Sequence, residues 1–259
     1  MEHEPFLLPD ERLDEVNEEL RLIQKTNGLT FGTDAYLLAA FVRQTPSAFA
    51  VELGAGTGIV SLLLAKTGKA RSIAAVEIQE SFAELIGRNA DLNGLSERIY
   101  PICKDLREIT QKDLFAHPSL VVANPPYLAA DSGKTNADPQ KEIARHERFG
   151  DIFDFCACAG RLLGSGGRFV TVFRAERLAD LYSSLRENRL EPKRTVFVHA
   201  DLLSPPCMVL TEAVKDASPS LQVLSPLFLY EPEGEKGGAR TMTPAAKKIY
   251  QICAFDTGA

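Results

Sequence analysis

The chain is expected to fold as an α/β domain built on a doubly wound, mostly parallel sheet, and three observations carry that expectation. From residue 48 onward, short apolar runs alternate with amphipathic stretches. That is the pattern of strands buried on both faces and joined by crossover helices. A glycine-rich turn, Gly54-Ala55-Gly56-Thr57-Gly58, joins the first run to the first of those helices. The tetrapeptide Asn124-Pro125-Pro126-Tyr127 directly follows the apolar run Ser119-Leu120-Val121-Val122-Ala123. It therefore sits at the carboxyl end of a strand, where open α/β sheets keep their ligands.

Ahead of the sheet, residues 10–25 and 34–44 read as two helices, the second apolar from Leu37 through Val42. Ala48 to Leu53 reads as the first strand and Ile59 to Lys66 as a helix. Ser72 to Glu77 is the second strand, and Ser81 to Asn93 a helix with Phe82, Leu85 and Ile86 on one face. Gly94 then stands where a helix ends in a left-handed residue. Ile99 to Cys103 and Leu120 to Ala123 are the third and fourth strands; Ile152 to Leu163 is a helix, and Gly167 to Phe173 the fifth strand. Arg194 to His199, Met208 to Val214 and Leu221 to Tyr230 read as strands with no helix between them. They are expected as antiparallel strands at the C-terminal edge of the same sheet. With no repeat and no linker, one globular domain is expected: a helical segment over 1–47 packing on a sheet domain over 48–259.

With 259 residues and 45% hydrophobic composition, the chain can bury a large core. No run approaches the roughly 18 apolar residues of a membrane helix. The acidic start Met1-Glu2-His3-Glu4 is unlike an export signal, so a cytoplasmic location and no membrane partner are expected. Five cysteines without a Cys-x-x-Cys, and four scattered histidines, are expected as buried reduced thiols and no metal site. The net charge of −6 resides in residues 1–22, where eight acids face only Arg12 and Arg21. Lys236, Arg240, Lys247 and Lys248, against Glu235, form a basic stretch near the other end. Overall acidity thus leaves room for RNA, whose phosphates a local basic patch can bind.

The chemistry concentrates at strand ends. Both prolines of Asn124-Pro125-Pro126-Tyr127 fix φ and lack an N–H, which stiffens the corner and leaves its carbonyls free to accept. The Asn124 side-chain oxygen and the Pro125 carbonyl can together grip both hydrogens of an exocyclic amino group, while Tyr127 offers a face for stacking. A Pro-rich turn that merely ends a strand is the competing reading. Gly54, Gly56 and Gly58 let the backbone turn sharply and approach a ligand, although the dinucleotide fingerprint needs its third glycine where this chain has Ile59. Glu52 stands just before the turn, and Glu77 ends the second strand, where an acid can hold both hydroxyls of a ribose. Asp105, after the third strand, is read as an acceptor for an adenine amino group, with a turn or helix N-cap as the alternative.

Together these features resemble the class I S-adenosylmethionine-dependent methyltransferases, Rossmann-like seven-stranded domains, with Asn-Pro-Pro-Tyr as their amino-methylating motif. Arg88-Asn89-Ala90-Asp91-Leu92-Asn93-Gly94-Leu95 is similar to the helix after the second strand in that superfamily. Three further segments resemble the bacterial tRNA (adenine-N6)-methyltransferases acting just 3′ of the anticodon of one valine tRNA. They are Phe31-Gly32-Thr33-Asp34-Ala35-Tyr36-Leu37-Leu38-Ala39, then Ala144-Arg145-His146-Glu147, and the strand-rich end through Pro226-Leu227 and Thr243-Pro244. The resemblance covers roughly residues 20–255. The chain departs from it in the acidic first 22 residues and in Met242-Thr243, where Tyr-Thr is expected.

What the resemblance implies is S-adenosyl-L-methionine as cofactor, held by Asp34, Glu52, Gly54, Gly56, Gly58, Glu77, Asp105 and Asn124. Asp34 would lie near the methionine end, or be an ordinary helix N-cap. Asn124, Pro125 and Tyr127 would form the catalytic corner. Pro126, Tyr127, Arg145, His146, Lys236, Arg240, Lys247 and Lys248 would meet the substrate, a tRNA anticodon stem-loop. The segment 128–147 reads either as a lid over the substrate or as a connector, and His146 either as a substrate contact or as helix-start packing. A protein-glutamine N5-methyltransferase, a ribosomal guanine-N2 methyltransferase, a DNA adenine methyltransferase and a non-catalytic binding module remain alternatives. The short stretch before the first strand is unlike the long helical domain of the glutamine enzymes.

Overall fold

Period-two alternation sorts the central strands onto two core faces, and that sorting places the candidate site. The computed structural model describes residues 5–26, 32–45, 48–126, 150–232 and 240–255. Its strands are β1 (Glu11–Asn17), β2 (Leu20–Lys25), β3 (Phe49–Leu53), β4 (Ser72–Glu77), β5 (Ile99–Cys103), β6 (Leu120–Ala123), β7 (Arg168–Arg174), β8 (Leu190–His199), β9 (Pro206–Lys215), β10 (Gln222–Val223) and β11 (Leu227–Phe228). Its helices are α1 (Thr33–Phe41), α2 (Ile59–Lys66), α3 (Glu80–Leu92), α4 (Ile152–Leu162), α5 (Leu178–Glu187) and α6 (Pro244–Ile252). The large sheet runs β10-β8-β9-β7-β6-β3-β4-β5, with β11 also on β8. Ala50, Ile73, Ala75, Leu120, Val122, Val170 and Val172 face a core shared with α1 and α2; Val51, Leu53, Ala74, Val76, Val121, Ala123 and Phe169 face the core under α4 and α5.

Strands β3 to β7 and helices α1 to α4 stand where the sequence predicts them. Residues 10–25 do not: they form the antiparallel hairpin β1–β2, not a helix. Leu13, Val16, Leu20 and Ile23 recur at helical spacing, which conceals the hairpin. No Gly or Pro marks the turn either; the Asn17 carboxamide closes it, accepting from the N–H groups of Glu19 and Leu20 at 2.9 and 3.0 Å.

The C-terminal edge also differs. Helix α5 lies between β7 and β8, so β8 arrives by a crossover and runs parallel to β7. Among the described residues only β9 opposes the rest of this sheet, inserted between β7 and β8 and antiparallel to both. Leu221 to Tyr230 supplies two short strands, β10 and β11, both parallel to β8. Cys156, Cys158 and Cys253 are buried as expected, whereas Cys103 and Cys207 are exposed, at the ends of an edge strand and of a hairpin.

The hairpin docks on α3 through amides that imitate a neighbouring strand. Asn89 Oδ1 accepts the Ile23 N–H at 2.7 Å, and its Nδ2 donates to the carbonyls of Ile23 at 3.1 Å and Thr57 at 2.9 Å. One helical turn on, Asn93 pairs in the same way with both backbone groups of Arg21. Residues i and i+4 of a helix thus match i and i+2 of a strand. Arg88 adds a two-pronged ion pair to Glu11, both contacts at 2.8 Å, which with burial opposing holds the Glu11 carboxyl down at about 2. Asn89→Ala would orphan three buried backbone groups. It is expected to lower unfolding free energy by about 2–4 kcal/mol, read as a reduced melting temperature, whereas an unchanged melt would contradict this account of docking.

Candidate active site

Registers bring the predicted residues to one edge. Leu53 pairs with Ala123 and with Val76, and Glu77 with Cys103, so β6, β3, β4 and β5 end side by side. Gly54 and Asn124, each one residue beyond its strand, therefore stand about one strand spacing apart, roughly 4.8 Å. Here strand order reverses, β3 leading to β4 on one side and meeting β6 on the other, the place where open α/β sheets hold ligands.

The turn is built for close approach. Gly54, Gly56 and Gly58 have φ of 67°, 54° and 82°, left-handed values that cost other residues strain. A Cβ on Gly54 would meet the Phe155 ring at 3.2 Å and one on Gly58 would meet Ile86 at 3.2 Å, while one on Gly56 would meet nothing within 4 Å. Gly54 and Gly58 are thus fixed by packing, and Gly56 opens onto free space. Glu77 faces the same turn: its Oε2 accepts the Gly56 N–H at 2.9 Å and its Oε1 the Gln79 N–H at 3.0 Å. Ionised carboxylate oxygens have about four acceptor sites, so capacity remains for hydroxyls.

Glu52 is only 2% exposed, and its Oε2 accepts both the Ser61 N–H at 2.9 Å and the Ser61 hydroxyl. The predicted cofactor ligand thus ties β3 to the start of α2 beneath the turn. Burial pushes its carboxyl up to about 7, against the Ser61 hydrogen bonds and with help from nearby Glu77. The unfolded chain releases this proton near pH 4.5 and the folded protein near 7, so Glu52 makes stability fall as pH rises between those values. Glu52→Gln keeps an acceptor for Ser61 and does not titrate. Its melting temperature relative to the parent is expected to climb from pH 5 to 7 and then level; a pH-independent difference would refute the assignment.

Asp105 does not present a free carboxylate. It accepts the Arg107 N–H at 2.9 Å and the Arg107 guanidinium on both oxygens, which holds its carboxyl below the ordinary range. These are the contacts of a turn-forming carboxylate.

Asn124 Nδ2 donates to Asp34 Oδ2 at 3.1 Å, while Asn124 Oδ1 is buried and without a partner among the described residues. Asn124 continues the alternation of Leu120 and Val122 toward the face that carries α1, which is why it meets Asp34, in the first turn of that helix. Pro125 is buried and Pro126 exposed. Tyr127, Arg145, His146, Lys236 and the 128–147 segment lie outside the described residues. Arg240, Lys247 and Lys248 are exposed; Arg240 lies over the Tyr230 ring at 5.7 Å. The two lysines ride on α6, which packs on α1 through Tyr250 stacked on Tyr36 at 4.7 Å. Ser61, Asn89 and Arg107 escaped the sequence reading as site supports; only the Asn89/Asn93 spacing on one helix face signalled one of them.

Residues 39–131 match the family model of the TRM5/TYW2 methyltransferase domain. The tRNA1(Val) (adenine(37)-N6)-methyltransferase of Phocaeicola vulgatus is 31% identical over 69% of this chain and 74% of its own. The chain belongs to that methyltransferase family. The protein of the same name from Bacteroides fragilis is 30% identical over 68% of this chain and 73% of its own. Among solved structures, a predicted O-methyltransferase of Agrobacterium tumefaciens superposes with a TM-score of 0.67 at 21% identity, over 86% of this chain and 97% of that one. TYW2 of M. jannaschii, solved in complex with AdoMet, gives 0.54 at 14% identity, over 81% and 89%. At such identities the likeness concerns the fold, and it agrees with the doubly wound sheet expected from the sequence. In this member of the tRNA1(Val) methyltransferase family, the Gly56 opening and the Glu77 carboxylate share one sheet edge with the Asn124 oxygen that has no partner among the described residues.

Proposed function

We propose that the protein transfers a methyl group from S-adenosyl-L-methionine to the exocyclic N6 of a tRNA adenosine, with the anticodon-loop adenosine of a valine tRNA as target. The observation that carries this reading is the buried Asn124 Oδ1, without a partner among the described residues, an acceptor at a proline-stiffened corner beside the glycine turn. Family membership supports it, since the relatives bear that activity in their names.

S-adenosyl-L-methionine supplies the electrophilic methyl carbon. Glu77 would hold the ribose hydroxyls, with Gly56 leaving room for the nucleoside. The target nitrogen is a poor nucleophile because its lone pair is delocalised into the ring. Asn124 Oδ1 and the Pro125 carbonyl accept its two hydrogens, so the nitrogen can pyramidalise and aim that lone pair. Orientation of this kind accounts for effective molarities of about 10⁵ M or more, and the fixed acceptor dipoles favour the positive charge that develops on nitrogen. No general base is required, because the nitrogen becomes acidic once alkylated. Extracting the base from its stack costs a few kcal/mol, and stacking on Tyr127 would offset about 1–3 kcal/mol of it. Pro126, Arg145, His146, Lys236, Arg240, Lys247 and Lys248 would meet the RNA.

The test is incubation with labelled S-adenosyl-L-methionine and bulk tRNA from a strain lacking this protein, followed by nucleoside analysis. Label in N6-methyladenosine is the expected result. Label confined to protein would move the assignment to glutamine methylation, and N2-methylguanosine to the guanine enzymes.

A further inference from the structure

A carboxamide has two nearly isosteric ends, and only one of them can serve at this corner. An amino group that donates two hydrogens needs oxygen, whereas Asn124 turned the other way would confront it with a second donor. We propose that Asp34 is the positioning residue of the transfer: its carboxylate locks the Asn124 amide so that Oδ1 faces the target amine. The inference rests on the amino-methylation reading above and deepens it.

Three observations carry it. The first is the hydrogen bond of 3.1 Å from Asn124 Nδ2 to Asp34 Oδ2. A carboxylate oxygen in hydrogen-bonding contact with an amide serves as the acceptor, so the Asn124 atom opposite Asp34 is the NH₂ group. A half-turn of the amide would set two acceptor oxygens against each other. The second is the fate of the other end: Asn124 Oδ1 is buried with no partner among the described residues. A buried acceptor left unpaired is unfavourable, and a donor from the substrate would relieve it.

The third is how firmly Asp34 itself is held. Its Oδ1 accepts the Ala35 N–H at 2.9 Å, and residues Ala35 to Phe41 of its helix are all buried, so α1 cannot swing away. Gly32, one residue ahead of the helix, has an ordinary φ of −111° that any residue adopts. A Cβ there would nevertheless lie 2.7 Å from Asp34 Oδ1. Glycine at this position is therefore a matter of space for the carboxylate. Asp34 touches neither reacting atom; it acts through Asn124. A direct contact with the methionine end of the cofactor, the role the family resemblance implies, makes different predictions.

The experiment measures methyl transfer to tRNA, S-adenosyl-L-methionine affinity by calorimetry, and the Asn124 side-chain amide by NMR of ¹⁵N-asparagine-labelled protein. Asp34→Ala is expected to lower kcat about 100-fold, the usual effect of misplacing a reacting group by an ångström, with cofactor affinity within about threefold. Asp34→Asn retains an oxygen for Nδ2 but also an NH₂ that can pair with Oδ1, so it should recover part of that kcat. Gly32→Ala, which displaces the carboxylate, should resemble Asp34→Ala while melting normally. In the parent protein the Asn124 NH₂ resonances should be shifted from the free-amide position and return to it in Asp34→Ala. Parental kcat in Asp34→Ala, or a loss confined to cofactor affinity that Asp34→Asn fails to rescue, would overturn the proposal. The NMR readout needs no turnover, so an incorrect choice of substrate would leave the amide lock detectable; unshifted parental resonances would reject the lock even if the protein methylates adenosine.

Discussion

Asn124→Ala is expected to reduce methyl transfer by about 10³-fold or more while S-adenosyl-L-methionine binds within a few-fold of normal. Removing one preorganised group at a reacting centre typically costs about 10²–10³ in rate, and here the same group also orients the nucleophile. Asn124→Asp should be as inactive as Asn124→Ala despite its near-identical shape. The new carboxylate would face Asp34 across the 3.1 Å that now holds a donor–acceptor pair, and two like charges at that distance repel. Steady-state kinetics with calorimetry of cofactor binding check both variants. Near-parental turnover in Asn124→Ala would reject the acceptor role. Turnover restored in Asn124→Asp would reject the requirement for a donor toward Asp34.

Glu212→Ala is expected to produce the largest loss of stability. Glu212 is fully buried on β9 and is the counter-charge for three arginines. Arg43 grips both of its oxygens, Arg194 approaches at 3.3 Å and Arg168 at 3.5 Å. Removing one partner of a buried ionic group leaves uncompensated charge and costs about 3–5 kcal/mol, whereas an exposed ion pair is worth about 0–1 kcal/mol. For a chain of this size the loss corresponds to a melting temperature lower by of the order of 10 °C. Calorimetric melting would show it, and a shift of a degree or less would place Glu212 among surface pairs. The cluster also explains how β9 holds its place. Glu212 is the register partner of Arg194 on β8, and slipping β9 by one residue would turn the carboxylate to the opposite face, under α4 and α5.

The parallel half of the sheet was legible because its strands are short apolar runs of one kind, and all but the edge strand β5 are buried on both faces. A run such as Leu120-Val121-Val122-Ala123 has no stable solution at a surface. The glycine turn and the proline corner were legible for a related reason, since both depend on backbone properties that belong to the residue itself. The hairpin at 11–25 was not legible, because its apolar spacing also fits a helix and its turn is closed by an asparagine side chain. At the far edge the antiparallel run of β9 was expected, but α5 was missed, and with it the parallel direction of β8 relative to β7. Glu52 and Asp105 were read by position along strand ends. Which partner each carboxylate takes depends on Ser61 and Arg107, and side-chain direction at a strand end is a three-dimensional property.

Burial pattern, proline and glycine act locally, so the sequence was enough for the class of fold, the strand end proposed to carry the chemistry and the backbone character of the two turns there. The tertiary structure decided the rest. Only when α1 packs across β7 and β9 does a carboxylate ninety residues upstream choose the orientation of the Asn124 amide, and only when β9 slides between β7 and β8 do three distant arginines meet one glutamate. Those contacts join residues far apart in the chain, and the loop-closure entropy they oppose is repaid by the whole core, so no short stretch of sequence encodes them.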